Sequence, residues 1–442
     1  MSPPASADAD SRVIPHWLSA DAELLDVRSG DGAYVTGADG TEYLDFISQL
    51  YCVNAGHGNE AIIDAMTAQL ERIPYVSSAK HNDARSRLAS ELIEVAPDSL
   101  SEVYFAVSGS EANETAVQLA RQYQDAPTVL TRWRSYHGGT YGTAALTGDP
   151  AMRTAMESHV ATTGTAKFLP PLAYRSPFDA DSPEALAESA ADHLEFVIRN
   201  EGPDSIAAIL MEPVGGTSGA YPPPPGYLQR VRELCDTYDI LLIADEVITG
   251  FGRCGDWFGI QTEGVEPDML TFAKAVTSAY APLAGVLARG ELGAWVRTEG
   301  TDLGQTFAGH PVACAAGVAA LEEYGGETGL IEQASTVAPY LEDRLASLAD
   351  DHWAVGDVRG RGHLWAVEFT DPETGDPFVD PRASEADNPV NAVIEAAENR
   401  GLLLGAGRPP IQAIIAPPLV LEREDVDQGL DALEGAIRSV FD

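Results

Sequence analysis

Two kinds of apolar pattern divide the chain. From about residue 60, short and nearly continuous apolar runs alternate with stretches whose apolar positions recur at helical spacing. Residues 61–73, 84–95, 111–124, 226–239 and 311–324 read as helices. Residues 103–107, 128–130, 206–211, 240–244, 269–272 and 285–288 read as strands buried on both faces. That alternation predicts an α/β fold built on a mostly parallel sheet. Beyond Tyr324 the texture changes. Residues 353–358, 364–369 and 411–416 suggest strands, and 389–400 and 424–440 helices, which predicts a smaller α+β domain. Near the start, residues 33–35 and 41–45 flank Asp39-Gly40, a hairpin signal, and residues 1–30 are polar and read as an extended arm. The expected organisation is an arm and hairpin over 1–60 joining the small domain, a large domain over 61–330, and a C-terminal small domain over 331–442. The proline run Pro222–Pro225 is a stiff loop inside the large domain.

The composition narrows the function. The 442 residues carry 68 Asp plus Glu against 27 Lys plus Arg, a net charge of −41, with 45% hydrophobic residues. Nucleic acid and anionic membrane need clustered cations, so neither is expected as a partner. No apolar run approaches the length of a membrane span, and the first residues lack a signal-peptide pattern, so a cytoplasmic location is expected. The four cysteines are scattered without a CxxC pair, which predicts no metal site and no disulfide framework. Only Lys80, Lys167 and Lys274 are lysines; every other cation is arginine. An acidic, lysine-poor surface is a halophilic composition, suited to concentrated salt that screens self-repulsion. The alternative is an acidic protein of an ordinary cytosol.

Three polar signals interrupt the apolar strands near their carboxyl ends, where ligands of parallel sheets collect. Ser108-Gly109-Ser110-Glu111 joins a strand to a helix. It suits a phosphate, by small residues, hydroxyls and a helix N-terminus, or equally a capping box between Ser108 and Glu111. Asp245-Glu246 places two carboxylates after a buried strand, where one can be a helix cap but two call for a cation or metal partner. Lys274 comes directly after another strand; it is either a functional amine or a snorkelling surface lysine. A phosphate cradle, an acidic partner for a ring nitrogen and an amine together are what pyridoxal 5'-phosphate requires.

With those motifs in view, the chain resembles the class III aminotransferases of the fold-type-I pyridoxal-phosphate enzymes. The resemblance covers nearly the whole chain. It is carried by residues 45–58 and 108–116, by Tyr136-His137-Gly138-Gly139, by Glu212-Pro213-Val214, by residues 244–253, by Ala273-Lys274, by residues 304–311 and by Ala416-Pro417-Pro418-Leu419. It implies a fold-type-I large domain plus a small α+β domain, and roles for individual residues. Lys274 would be the Schiff-base lysine and proton carrier, and Asp245 the partner of the pyridine nitrogen. Gly109 and Ser110 would bind the phosphate. Tyr136 and Val247 would cover the two ring faces, Val247 being core otherwise. Glu212 would lie near the cofactor and could pair with a substrate-binding arginine. Thr306 would reach the phosphate across a subunit interface, making a homodimer, or a dimer of dimers, the active form; its other reading is the cap of the helix after it. Ala275 departs from the family, which nearly always has glycine after the lysine.

The segment Leu50-Tyr51-Cys52-Val53-Asn54 resembles that of ω-amino acid and amine:pyruvate transaminases, with Tyr51 walling the substrate pocket or packing in the core. Arg408, shortly before Ala416, would clamp a substrate carboxylate. The expected reaction transfers the amino group of an ω-amino acid or primary amine to pyruvate or a similar 2-oxo acid. A racemase, aminomutase or decarboxylase of the same family is the alternative, and a cofactor-free binding protein a further one. Only Lys274 among the lysines is expected to be indispensable. The charge predicts that thermal stability holds or rises as NaCl is taken from dilute to molar; stability undiminished in dilute buffer would contradict it.

Overall fold

The computed structural model describes residues 24–160, 162–326, 329–378 and 388–441, so the arm expected over residues 1–30 is described only from Leu24 onward. The N-terminal segment forms strands β1 (Val27–Asp31), β2 (Tyr34–Gly37) and β3 (Glu42–Asp45). The end of the expected arm, residues 27–30, therefore belongs to a strand, β1, paired antiparallel to β2. The turn between β2 and β3 closes with Gly37 N–H donating to the Thr41 carbonyl at 2.8 Å, and Gly40 supplies the left-handed φ of 88° that this turn demands.

The large sheet is built from β4 (Leu100–Ala106), β5 (Thr128–Arg132), β6 (Thr165–Phe168), β7 (Ile206–Met211), β8 (Leu241–Asp245), β9 (Met269–Phe272) and β10 (Ala284–Arg289). Their order is β4-β10-β9-β8-β7-β5-β6. β6, β5, β7, β8 and β9 run parallel, while β10 is antiparallel to both β9 and β4. The exception has a physical cause. The connection over residues 273–283 is too short for a crossover helix, so the chain turns back beside the strand it has just left. Helices Gly109–Gln124, Pro183–Glu201 and Tyr227–Tyr238 pack on the sheet, Pro311–Tyr324 packs on helices Glu60–Arg72 and Asp83–Val95, and β7 and β8 are buried at every position. Pro183–Glu201, capped by Ser182 through the Ala185 N–H, and β6 are elements that the apolar pattern did not single out.

The C-terminal part contributes β11 (Val355–Arg361), β12 (Leu364–Phe369), β13 (Leu402–Leu403), β14 (Gly405–Ala406) and β15 (Gln412–Ile415). The antiparallel order β11-β12-β15-β14 makes one sheet, and β13 pairs in parallel with β3 of the N-terminal ribbon. Helix Leu330–Asp351, which was not read from the sequence, takes Pro339 on its exposed side and packs against β11. Leu44 and Phe46 share a core with Leu341, Val367, Leu430 and Leu433, so the N-terminal hairpin is sealed onto the C-terminal sheet and helix.

One buried guanidinium joins the three sequence regions. Arg253 donates to the His363 carbonyl at 3.1 Å and to the Pro417 carbonyl from one nitrogen, and to Ser48 Oγ at 3.1 Å and Asn54 Oδ1 from another. Burial drives its pKa down to about 10. A charge is kept there because four neutral oxygens from three segments solvate it in place of water. Arg253→Met leaves those oxygens orphaned and is expected to cost about 3 kcal/mol or more, measured as a fall in urea midpoint. A change below about 0.5 kcal/mol would show the segments to be held otherwise.

Candidate active site

Residues at the carboxyl ends of β4, β5, β7, β8 and β9 converge with segments 47–51 and 404–408 on a cavity of about 830 Å³. Gly109, Ser110, Tyr136, Glu212, Asp245, Val247, Lys274, Tyr51 and Arg408 all line it. Thr306 does not. It is exposed on the loop before helix Pro311–Tyr324, beside an aromatic group of Tyr75, Phe307 and His310, and its carbonyl accepts the Tyr75 hydroxyl at 2.9 Å. It does not cap that helix, whose N-cap is His310.

Asp245 ends β8 and is buried. Its Oδ2 accepts Asn113 Nδ2 at 2.8 Å and lies 2.8 Å from His137 Nδ1; its Oδ1 accepts the Val247 N–H at 3.1 Å. Thr271 of β9 completes the group by donating to Asn113 Oδ1 at 2.7 Å. His137 Nε2 is buried with no hydrogen-bond partner among the described residues. Glu246 turns the opposite way. Its carboxylate accepts from Thr249 Oγ1 and from the Gly259 and Ile260 N–H groups at 2.9 and 2.7 Å, and burial raises its pKa to about 7. Of the expected carboxylate pair, therefore, only Asp245 faces the cavity, and Glu246 fastens the loop beyond it.

Lys274 follows β9 with only Ala273 between, at a left-handed φ of 51°. Its Nζ sits 5.2 Å from the centre of the Tyr51 ring. Burial lowers its pKa from the ordinary 10.5 to about 8, against the smaller opposing influence of Cys52, Asp245 and Glu212. The next residue, Ala275, is buried without displacing the turn, its carbonyl accepting the Tyr324 hydroxyl at 2.8 Å. The facing wall is also held in unusual backbone: Ser48, Gln49 and Tyr51 have φ of 47°, 59° and 61°. Buried Asp45 stabilises it by accepting the Gln49 N–H at 3.1 Å and Gln49 Nε2 at 2.9 Å, with His57 Nε2 at 3.0 Å.

At the β4 end, Ser108 Oγ caps helix Gly109–Gln124 by accepting the Glu111 N–H at 3.3 Å, while the Glu111 carboxylate reaches back to the Val107 N–H at 3.1 Å. Capping thus occupies Ser108 and Glu111 and leaves Ser110 facing the cavity, where its Oγ accepts the Gly139 N–H at 3.3 Å. Gly109 packs so closely on Val247 that a Cβ there would lie 2.8 Å from Val247 Cγ1. Glu212, buried beyond β7, accepts the Gly216 N–H at 3.2 Å and meets fully buried Arg132, whose Nη2 donates to its carbonyl at 2.7 Å. Arg408 lies over the Tyr136 ring at 5.6 Å, and its backbone N–H is tied to the Thr217 carbonyl at 2.7 Å.

Comparison with known proteins decides the family. The model of the family described as "Aminotransferase class-III" matches residues 18–437. The chain belongs to the class III aminotransferases. It is 35% identical over 465 residues to the diaminobutyrate–2-oxoglutarate transaminase of Halomonas elongata, spanning 98% of this chain and 96% of that protein. It is 34% identical to the putrescine–pyruvate aminotransferase of Pseudomonas aeruginosa, over 91% of this chain and 88% of that one. The solved structure of a taurine:2-oxoglutarate aminotransferase from Bifidobacterium kashiwanohense, in complex with pyridoxal phosphate and glutamate, superimposes with a TM-score of 0.94. It is 32% identical and covers 100% of this chain and 99% of that one. The present chain is thus an aminotransferase of the fold-type-I α/β architecture and depends on pyridoxal phosphate. Its cavity suits that group: a low-pKa amine, a buried carboxylate, a glycine too closely packed to take a side chain and an unpartnered imidazole nitrogen all face or border it.

Asn113, His137 and Thr271 were not singled out from the sequence. The available signals were a polar residue inside the apolar run of β9 and an imidazole beside Tyr136. The Gly109–Val247 contact makes a test. Gly109→Ala is expected to weaken pyridoxal-phosphate retention, followed by fluorescence on dilution, and Val247→Ala in the same chain to restore it in large part. Independent, additive effects would show that the close packing is not what requires glycine.

Proposed function

We propose that the cavity transfers an amino group from an ω-amino acid or primary amine to a 2-oxo acid, pyruvate or one like it. The observation that carries this is the placing of two cations in one cavity, Lys274 against the Tyr51 ring and Arg408 over the Tyr136 ring. When bound, pyridoxal phosphate supplies the electron sink for breaking the donor's Cα–H bond. This chain's residues do the rest. Lys274, partly neutral at physiological pH, holds the cofactor and then carries the proton to and from Cα. Asp245, fixed by Asn113 and His137, would pair with the pyridine nitrogen. Gly109 and Ser110 would bind the phosphate, and Tyr136 and Val247 would contact the ring. Glu212, meeting Arg132 and the Gly216 N–H, holds the loop that borders the cavity.

Arg408 binds the far carboxylate of an ω-amino acid and, in the second half-reaction, the carboxylate of the 2-oxo acid. Among the described residues, Asp245 and Glu212 are the only acidic ones lining the cavity. Asp245 accepts from Asn113, His137 and Val247, and Glu212 meets Arg132 and Gly216. A donor whose far end is cationic meets Arg408 with no carboxylate left to pair it, which favours β-alanine or 4-aminobutyrate over simple diamines. Exposed Thr306, among exposed aromatics, suits a homodimer in which it completes the partner's phosphate site, and the acidic, lysine-poor composition suits work in concentrated salt.

Arg408→Ala is expected to raise KM for β-alanine and for the 2-oxo acid at least tenfold, while leaving kcat/KM for 1-phenylethylamine within about threefold; equal losses on both donors would contradict the carboxylate role. In protein stripped of cofactor, the rate of pyridoxal-phosphate capture is expected to rise about fivefold between pH 7 and 8 and level off by pH 9. That tracks the neutral Lys274 amine at its lowered pKa. A rate still climbing tenfold per unit above pH 9 would contradict it. Racemisation or release of CO₂ without alanine or glutamate formation would favour the isomerase or lyase alternative.

A further inference from the structure

Lys167 stands out in a chain that uses arginine almost everywhere. It lies on β6, half-buried, on no wall of the cavity. Its Nζ donates to Thr131 Oγ1 at 2.6 Å, to the Leu146 carbonyl at 2.7 Å and to the Ala145 carbonyl at 2.9 Å. Thr131 Oγ1 in turn donates to the same Leu146 carbonyl at 2.8 Å. The two carbonyls belong to the last turn of the short helix Thr143–Leu146, where they have no partner along the helix. Three oxygens converging on one point suit the three hydrogens of an ammonium. A planar guanidinium, larger and forked, does not fit that arrangement.

The residues just beyond that helix tie the lysine to the active site. Thr147 Oγ1 accepts the His137 N–H at 3.0 Å and donates to the Gly138 carbonyl at 3.1 Å. Gly148 N–H donates to the Ser135 carbonyl at 2.9 Å, and Arg134 N–H to the Gly148 carbonyl at 3.0 Å. Residues 147–148 are thereby laced to 134–138, the segment that carries Tyr136 to the cavity and His137 to Asp245. Lys167 anchors the near end of that lacing to β5 and β6.

We propose that Lys167 is a positioning residue for the cofactor site: its ammonium fixes helix Thr143–Leu146, and through Thr147 the seat of Tyr136 and the His137–Asp245 contact. This goes beyond the expectation that only Lys274 is indispensable, and it rests on the cavity at Lys274 being where the cofactor binds. Lys167→Arg and Lys167→Met are to be compared in the holoenzyme with Lys80→Arg, an exposed lysine that does not line the cavity. Expected for both Lys167 variants are native circular dichroism, cofactor loss on dialysis at least tenfold faster, and a displaced pH midpoint of the visible cofactor band. Lys80→Arg should match the parent protein. Should the Lys167 variants not fold, Thr131→Val removes one of the three oxygens without touching the lysine and should displace the same midpoint to a lesser degree. A Lys167→Arg protein with parental retention and midpoint, or a lowered melting temperature with both unchanged, would overturn the proposal. A Lys274→Ala protein that keeps its visible band would remove its basis, whereas loss of that band with parental Lys167 variants would fail the Lys167 inference alone.

Discussion

A carboxylate taken out of water at the end of the central sheet governs the arrangement around it. Asp245 has left solvent, and a bare carboxylate in that position would cost several kcal/mol. It is stabilised only because a helix (Asn113), a loop (His137), the backbone just beyond it (Val247) and a neighbouring strand (Thr271, through Asn113) all bring donors to one place. Each donor comes from a different part of the large sheet's surroundings, so the fold must close correctly for the anion to be tolerated. The walls of the cavity are then largely determined. Asn113 sets the helix whose first turn bears Gly109 and Ser110, His137 fixes the segment bearing Tyr136, and Val247 closes on Gly109.

A second buried charge sets the other side. Arg253, on the loop leading away from Asp245, reaches the N-terminal wall segment through Ser48 and Asn54 and the C-terminal part through His363 and Pro417. That wall carries Tyr51 at a left-handed backbone angle, and the C-terminal part carries Arg408. The single loop between these two buried ions therefore links the chemistry at the sheet end to the residues facing substrate. Its third anchor is Glu246, whose carboxylate holds Gly259 and Ile260.

Much of this was legible in the sequence, and for a physical reason. In a parallel sheet ligands collect where apolar strands end, so Asp245 and Lys274 interrupt the pattern just where they face the cavity, and the short link after β9 explains the one reversed strand. Gly109 and Ser110 were readable as small residues at a helix start. Contacts across space were not readable. Asn113 and His137 lie far along the chain from Asp245, and nothing in their local pattern points at it. Helix Leu330–Asp351 was not read although its buried residues keep helical spacing, and Lys167 drew no attention because β6, which carries it, was not read as a strand. The acidic composition first served to exclude nucleic acid and membranes; its lysine scarcity singles out Lys274, which lines the cavity, and Lys167, whose ammonium is hydrogen-bonded inside the fold.

Every role assigned in the cavity depends on Lys274 being the amine that binds the cofactor opposite Asp245. Reduction of the yellow holoenzyme with borohydride, then proteolysis and mass spectrometry of the pyridoxyl-labelled peptide, puts that dependence to the test. One label per chain is expected, on Lys274. A label on Lys80 or Lys167, or a protein that keeps its colour but takes up no label on reduction, would contradict it.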